Sequence, residues 1–114
     1  MSRISMCELA EWQAAGRHFT LLDVRRAPVR LAAAAEIAGA QWRDPDALFT
    51  WKEQIPRDRP VILYCAQGHE ISQGCAATLQ AMGLDARYLI DGFAGWRGAG
   101  RPIQSLVNQA GGAP

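Results

Sequence analysis

The sequence contains few cysteines, and their arrangement is not typical of a metal site or of a disulfide framework. Three occur in 114 residues, at Cys7, Cys65 and Cys75, and no two of them form a Cys-x-x-Cys motif. Zinc sites and disulfide-stapled secreted domains need closely spaced or evenly numbered cysteines. We therefore expect three free thiols in a reducing compartment.

Long apolar runs, a charge excess and internal repeats are also missing. No stretch reaches the roughly 20 apolar residues of a membrane-spanning helix, and Met1–Ser5 lacks the apolar run of a secretory signal. Twelve basic and eleven acidic side chains give a net charge of +1, which predicts no long-range attraction to nucleic acid or to an anionic membrane. We expect a cytoplasmic protein that binds neither.

Hydrophobic residues, by contrast, make up 49% of the chain, which is enough for one folded core. The sequence predicts one domain over residues 1–106 and a flexible tail over 107–114. Strands are expected at Phe19–Val24, Ala40–Trp42, Val61–Tyr64 and Ala86–Ile90. Helices are expected from Ser5 to about Ala15, over Pro45–Gln54, from Ile71 to Gly83 and over Asp91–Trp96.

The order of these segments predicts the fold class. Strand–helix alternation with short connections implies parallel strands joined by right-handed crossovers. Strands that are apolar on both faces suit a sheet that is covered on both sides. We predict an α/β sandwich, with a small parallel sheet of about five strands and helices on both faces. The segment Pro28–Ala38 fits either a short helix or an irregular loop.

The segment VILYCAQGHEISQG, at Val61–Gly74, ends an apolar strand on a cysteine and enters a helix within a few residues. In open α/β folds, sites form at the carboxyl ends of strands. A loop that curls around Cys65 before a helix N-terminus would direct several backbone N–H groups at the sulfur and lower the thiol pKa. Gly68 suits such a turn, and Ser72 can cap the helix or donate to the sulfur. The pattern predicts a nucleophilic thiol, and the alternative is a buried structural cysteine.

Together with LLDVR at Leu21–Arg25 and YLIDGFAGW at Tyr88–Trp96, this segment resembles the rhodanese-like sulfurtransferases. An Asp-Val-Arg strand end, a Tyr-Cys-x-x-Gly strand end and a closing Gly-x-x-x-Trp occur in the order and spacing of that family. Glu36–Ala40 is similar to the family's Gly-His-Ile-Pro-Gly-Ala segment, with the histidine and the proline missing. The resemblance covers nearly the whole chain.

The resemblance implies a three-layer rhodanese-like sandwich and sulfur transfer through a persulfide on Cys65. Cys65 would take the outer sulfur from a donor such as thiosulfate and pass it to a thiol, cyanide or another acceptor. The resemblance implies a loop that stabilises the thiolate and the persulfide, made of Ala66, Gln67, Gly68, His69, Glu70, Ile71 and Ser72. It implies no metal or organic cofactor, and its partners would be a small sulfur donor and a thiol or protein acceptor. We expect a monomer or a weak dimer.

The loop departs from the common single-domain pattern Cys-x-x-Gly-x-Arg-Ser, because one extra residue separates Cys65 from Ser72 and no arginine is present. In related cell-cycle phosphatases a seven-residue loop ends in an arginine that grips phosphate oxygens. Ile71 occupies that place here, which excludes phosphatase and arsenate reductase activity. The missing arginine also favours a protein persulfide or a small thiol persulfide over thiosulfate. Glu70 would raise the thiol pKa unless it points away or pairs with a cation such as His69.

Asp23 and Arg25 are candidates for supporting the loop. Asp23 either caps its strand, orients Arg25 or accepts hydrogen bonds from the cysteine loop. Arg25 or Arg26 either attracts an anionic donor or lies on the surface, and the surface position is favoured. We expect His69 to be functional, because it lies in the loop, and His18 to be exposed.

The two remaining cysteines and Trp96 are expected to have structural roles. Cys75 lies on the apolar face of its helix and is predicted to be a core residue, although it is also a candidate for resolving the Cys65 persulfide as a disulfide. Cys7 is predicted to pack against its helix's neighbours, and Trp96 to lie in the core or in the pocket wall.

Two alternatives to a sulfurtransferase stay open. One is a non-catalytic binding or regulatory module, and the other is a thiol-disulfide redox protein that uses Cys65 and Cys75.

Overall fold

The computed structural model describes residues 3–106. The strands are β1 (Arg3–Ile4), β2 (Thr20–Asp23), β3 (Ala35–Ile37), β4 (Gln41–Trp42), β5 (Val61–Tyr64), β6 (Ala86–Leu89) and β7 (Ile103–Ser105). The helices are α1 (Met6–Ala14), α2 (Ala27–Ala33), α3 (Leu48–Trp51), α4 (Glu70–Ala81) and α5 (Gly92–Gly98). The predicted tail at 107–114 lies outside the described residues, and the domain boundary stays a prediction.

Five strands form a parallel sheet in the order β1-β6-β5-β2-β4. This confirms the predicted α/β sandwich and its five-stranded sheet. β5 lies at the centre, and its last residue, Tyr64, pairs in register with Asp23 at the end of β2. The carboxyl ends of these two strands therefore meet at one edge of the sheet, where ligand sites form in such folds.

Burial on both faces of the sheet explains the continuous apolar run of β5. Its four side chains are all 0% exposed, and successive side chains of a strand point to opposite faces. Ile62 and Tyr64 pack in a core cluster with residues of α1 and α5. Val61 and Leu63 pack in a second cluster with residues of α3 and α4. Helices therefore cover both faces, as predicted.

Local signals set the start and the end of α1. Ser5 accepts a hydrogen bond from the Glu8 backbone N–H at 3.1 Å, and the Glu8 carboxylate accepts one from the Ser5 N–H at 3.4 Å. This is the predicted capping box. Gly16, with a φ of +65°, follows the helix and terminates it as expected.

The segment Pro28–Ala38, which the sequence left open, contains both a helix and a strand. Helix α2 ends at Ala33, and its C-cap residue Ala34, with a φ of 58°, reverses the chain. β3 then pairs antiparallel with β7 in a separate two-stranded sheet. β7 was not predicted, because its short sequence carries no strand signal apart from its distant partner.

Two further predictions needed correction. The helix predicted over Pro45–Gln54 is divided, because the 3₁₀ turns Pro45–Ala47 and Lys52–Gln54 flank the single α-helical turn of α3. Cys7 does not pack in the core but is exposed, since Leu9 and Trp12 form the buried face of α1. Within residues 3–106, no helix has the length and apolar character that crossing a bilayer requires.

Candidate active site

Cys65 follows the last residue of β5 and lies at the base of a cavity. The side chain is 5% exposed, and the cavity has a volume of about 310 Å³. It is lined by Cys65, Ala66, Gln67, His69, Glu70 and Ile71. The central strand thus places the thiol in a cavity formed by the loop that precedes α4 and by the first turn of α4.

Four hydrogen-bond donors surround the sulfur. The Ser72 Oγ lies 3.1 Å from Cys65 Sγ, and it is the donor of this pair when the sulfur is a thiolate, which has no proton to give. The backbone N–H groups of Gln67, His69 and Ser72 also donate to the sulfur. Burial raises the pKa of Cys65, but these hydrogen bonds outweigh the burial and hold the pKa below its ordinary value. The loop therefore stabilises a thiolate without any charged side chain among these donors.

We expect Ser72→Ala to move the pH profile of Cys65 alkylation to higher pH. The variant loses the hydroxyl donor but keeps the backbone donors, so the pKa of Cys65 rises while the loop stays intact. A hydrogen bond to a charged group contributes about 1.5–3 kcal/mol, and alkylation below the pKa should slow by roughly five- to tenfold. Iodoacetamide kinetics against pH, in a Cys7→Ser background, measure this. Thr50→Ala, which removes an exposed hydroxyl of α3, should change nothing, and an unchanged profile for Ser72→Ala would contradict the assignment.

The first turn of α5 packs against the cysteine loop and holds it by backbone hydrogen bonds. The N–H of Phe93 donates to the Cys65 carbonyl and that of Ala94 to the Ala66 carbonyl, both at 2.9 Å. Gly92 has a φ of +57°, and a Cβ built on it would lie 2.5 Å from the Cys65 carbonyl oxygen and 2.6 Å from the Gly68 nitrogen. Only glycine permits this approach, which gives the first glycine of the closing Gly-x-x-x-Trp a physical role.

We expect Gly92→Ala to displace the loop and slow Cys65 alkylation at neutral pH by roughly tenfold, because forced backbone shifts of this kind cost about 1–3 kcal/mol. The same variant should lose stability in urea unfolding. Gly98→Ala is a matched control on α5, since a Cβ there meets no heavy atom within 4 Å. If both variants react like the parent protein, the close packing of α5 against the loop does not control the thiol.

Asp23 and Arg25 form a buried ion pair beside this site. Their exposures are 0% and 1%, with Arg25 Nε 3.0 Å from Asp23 Oδ1 and Arg25 Nη2 2.7 Å from Asp23 Oδ2. Arg25 Nη2 also donates to the Ala35 carbonyl at 2.7 Å. The prediction that Arg25 lies on the surface was therefore wrong, because a carboxylate and a carbonyl compensate the buried guanidinium.

Arg25 contacts α5, which in turn holds the loop. Its Cζ lies 4.2 Å from the centroid of the Phe93 ring, and the Phe93 N–H holds the Cys65 carbonyl. Within residues 3–106, the Asp23 carboxylate has Arg25 and Arg30 as its side-chain partners and accepts nothing from the cysteine loop. Of the three roles suggested for Asp23, the structure thus favours the one in which Asp23 orients the Arg25 side chain.

The sequence did not predict that a second carboxylate, that of Glu36, is buried and has a structural role. It is 1% exposed, and it accepts hydrogen bonds from Arg30 Nη2 at 3.0 Å and from Gln104 Nε2 at 2.6 Å. These contacts tie β3 and β7 to α2. The signal in the sequence was a lone acidic residue between apolar neighbours, which indicates a buried and paired charge.

Three polar side chains at the cavity, those of Gln67, His69 and Glu70, are exposed. Among the described residues, none of the three has a side-chain hydrogen bond or an ion pair, and the suggested pairing of Glu70 with His69 is not found. Ile71 is half-buried and packs against the core cluster on the α4 face. The catalytic and binding roles predicted for Cys65 and residues 66–72 stay predictions.

The second buried thiol, Cys75, lies on α4 and is 5% exposed, which confirms that it is a core residue. Burial raises its pKa to about 11, and the negative charge of a nearby Cys65 thiolate adds to the effect. Cys75 is therefore protonated at neutral pH and a poor nucleophile there. The predicted core position of Trp96 is also confirmed, at 0% exposed, and His18 is exposed as expected.

Comparison with known sequences places this geometry in a family. Over 65 residues the chain is 40% identical to the thiosulfate sulfurtransferase GlpE of Tolumonas auensis, a match covering 56% of this chain and 60% of GlpE. Over 98 residues it is 36% identical to the probable adenylyltransferase/sulfurtransferase MoeZ of Mycobacterium tuberculosis, covering 83% of this chain and 24% of MoeZ. The chain thus spans less than two thirds of the length of either relative.

The fold agrees with these matches. A rhodanese-related protein from Thermoplasma volcanium superposes with a TM-score of 0.79 at 24% identity, covering 91% of this chain and 98% of that one. The rhodanese-like domain family matches residues 5–99, which is most of the chain. The protein therefore belongs to the rhodanese-like domain family.

Proposed function

We propose that this protein is a sulfurtransferase that moves a sulfane sulfur from a donor to a thiophilic acceptor through a persulfide on Cys65. One observation supports this most strongly. The Ser72 hydroxyl and three backbone N–H groups converge on the Cys65 sulfur and lower its pKa, at the base of an open cavity. Such a thiol is a nucleophile near neutral pH.

The proposed reaction has two steps. The Cys65 thiolate attacks the outer sulfur of the donor, a new S–S bond forms, and the donor's remainder leaves with the electron pair, as sulfite from thiosulfate or as a thiolate from an alkyl persulfide. An acceptor thiolate or cyanide then attacks the terminal sulfur, and the Cys65 thiolate is released. The donors around the sulfur stabilise the negative charge before and after each step. Sulfur passes between nucleophiles, so the scheme needs no electron carrier.

The test is an intact-mass experiment. The reduced protein is incubated with thiosulfate, or with a freshly prepared alkyl persulfide, and its mass is measured after quenching. We expect a gain of one sulfur atom that maps to the Cys65 peptide and is lost again on addition of cyanide, with formation of thiocyanate. Absence of any sulfur gain with every donor would overturn the proposal, and tight binding of a partner protein would then favour the non-catalytic module.

The redox alternative is less well supported by the geometry. It requires Cys75 to attack an oxidised Cys65, yet burial raises the pKa of Cys75, which suppresses the attacking thiolate. The same mass spectra test it, because a disulfide form would be two hydrogens lighter.

We also propose that the partners are a small sulfur donor and a thiol or protein acceptor. We propose a reducing, cytoplasmic location, because all three cysteines are free thiols.

A further inference from the structure

We propose that Glu70 selects the sulfur donor by its charge, so that the Cys65 site prefers neutral or cationic alkyl persulfides to thiosulfate and anionic persulfides. This inference rests on the proposed sulfurtransferase function and names the substrate class that the site would take.

The described residues that line the cavity offer an anion no compensating side-chain charge. Among the residues that line it, Glu70 is the acidic one, and neither an arginine nor a lysine is present. The Glu70 side chain is exposed and has no ion-pair or hydrogen-bond partner within residues 3–106. Its negative charge is therefore not neutralised where a donor would enter.

The backbone donors do not replace the missing cation. The N–H groups of Gln67 and His69, with the Ser72 N–H and hydroxyl, already point at Cys65 Sγ. They stabilise one negative charge, that of the thiolate or of the terminal persulfide sulfur. The sulfonate group of thiosulfate would need further donors, and the groups left at the mouth are the Gln67 amide, the His69 ring and the Glu70 carboxylate.

A donor of the form R–S–SH meets these conditions better. The Cys65 thiolate bonds to the outer sulfur, the S–S bond of the donor breaks, and R–S⁻ departs with the electron pair, leaving Cys65–S–SH. A neutral R group avoids repulsion by Glu70, and an ammonium on R gains attraction. The charge of R therefore decides how readily the donor reaches the thiolate.

Glu70 also has a local structural role that must be separated from this one. It lies in the first turn of α4, where a carboxylate stabilises the positive end of the helix dipole. Loss of that contact would change the stability of the protein equally for every donor. The preference between donors of different charge is thus the informative measurement.

The experiment compares three persulfides of similar size, 2-aminoethyl, 2-hydroxyethyl and 2-carboxyethyl persulfide, together with thiosulfate. The second-order rate of sulfur gain on Cys65 is measured by quenched intact mass for the parent protein and for Glu70→Gln. The comparison of the two proteins cancels the intrinsic reactivity of each donor. We expect the aminoethyl-to-carboxyethyl rate ratio to fall by roughly three- to tenfold in Glu70→Gln at low salt. The difference between the proteins should shrink at high salt.

Glu11→Gln is the matched control, because Glu11 is an exposed helical glutamate on α1 that does not line this cavity. Its rate ratio should equal that of the parent protein. If sulfur gain is normal and Glu70→Gln leaves the ratio unchanged, charge selection by Glu70 is overturned while the sulfurtransferase function stands. If no donor loads the parent protein, the proposed function itself fails.

Discussion

Cys65→Ser should reduce sulfur gain from every donor to background, the largest effect of any single substitution. The serine hydroxyl is not ionised near neutral pH, and its oxygen cannot hold a sulfane sulfur as a persulfide. The four donors around position 65 would remain, so the cavity should keep its shape. Intact mass after donor treatment, and thiocyanate formed from cyanide, measure the loss.

Substitutions of the other two thiols are the controls. Cys7 is exposed and Cys75 is buried, so Cys7→Ser and Cys75→Ala test adventitious sulfur gain and relay through the core, respectively. Both should retain sulfur gain at Cys65, with Cys75→Ala losing about 1 kcal/mol of stability from the emptied volume. Full loading of Cys65→Ser, or loss of loading in Cys75→Ala with the fold intact, would contradict a persulfide on Cys65.

Arg25→Met should lower the free energy of unfolding by about 3 kcal/mol, because the buried Asp23 carboxylate loses its bidentate partner and keeps the longer contact to Arg30 Nε at 3.4 Å. Methionine keeps an apolar stem against the Phe93 ring, so the loss reports mainly on the charge. Urea unfolding followed by circular dichroism measures the change. Alkylation of Cys65 should slow as well, since Phe93 holds the Cys65 carbonyl.

The neighbouring arginine supplies a matched control. Arg26 pairs with Asp46 at 2.6 Å, but the two side chains are 52% and 67% exposed, so Arg26→Met should cost under about 1 kcal/mol. The double variant Asp23→Asn/Arg25→Met should be more stable than Arg25→Met alone. The double variant removes the buried charge at position 23, while the Arg30–Glu36 pair remains. An Arg25→Met protein as stable as Arg26→Met would show that the buried pair is not the constraint we infer.

The sequence predicted the position of the candidate active-site cysteine better than it predicted the structure around it. Cys65 could be singled out from a strand that ends on a thiol and a helix that begins soon after, because both signals lie within one short segment. The sequence predicted that backbone N–H groups would surround the Cys65 sulfur, but not which residues would supply all of them. The structure shows which groups converge on the sulfur. It gives the Glu70 side chain, which lines the cavity, no ion-pair partner among residues 3–106.

The amino-acid sequence alone determined the strands β2, β5 and β6, the helices α1, α4 and α5, and their order, since the periodicity of apolar residues records which faces are buried. From that order follow the parallel sheet, its helical layers and the position of Cys65 at the end of β5. Tertiary structure decided the burial of Arg25, the pairing of β3 with β7 and the docking of Gly92 against the loop. The Asp23 carboxylate that compensates Arg25 is only two residues away, but the Phe93 ring that covers the guanidinium comes from α5. The partners of β3 and Gly92 are likewise distant in the chain, and a local pattern carries no record of which distant elements will cover a residue.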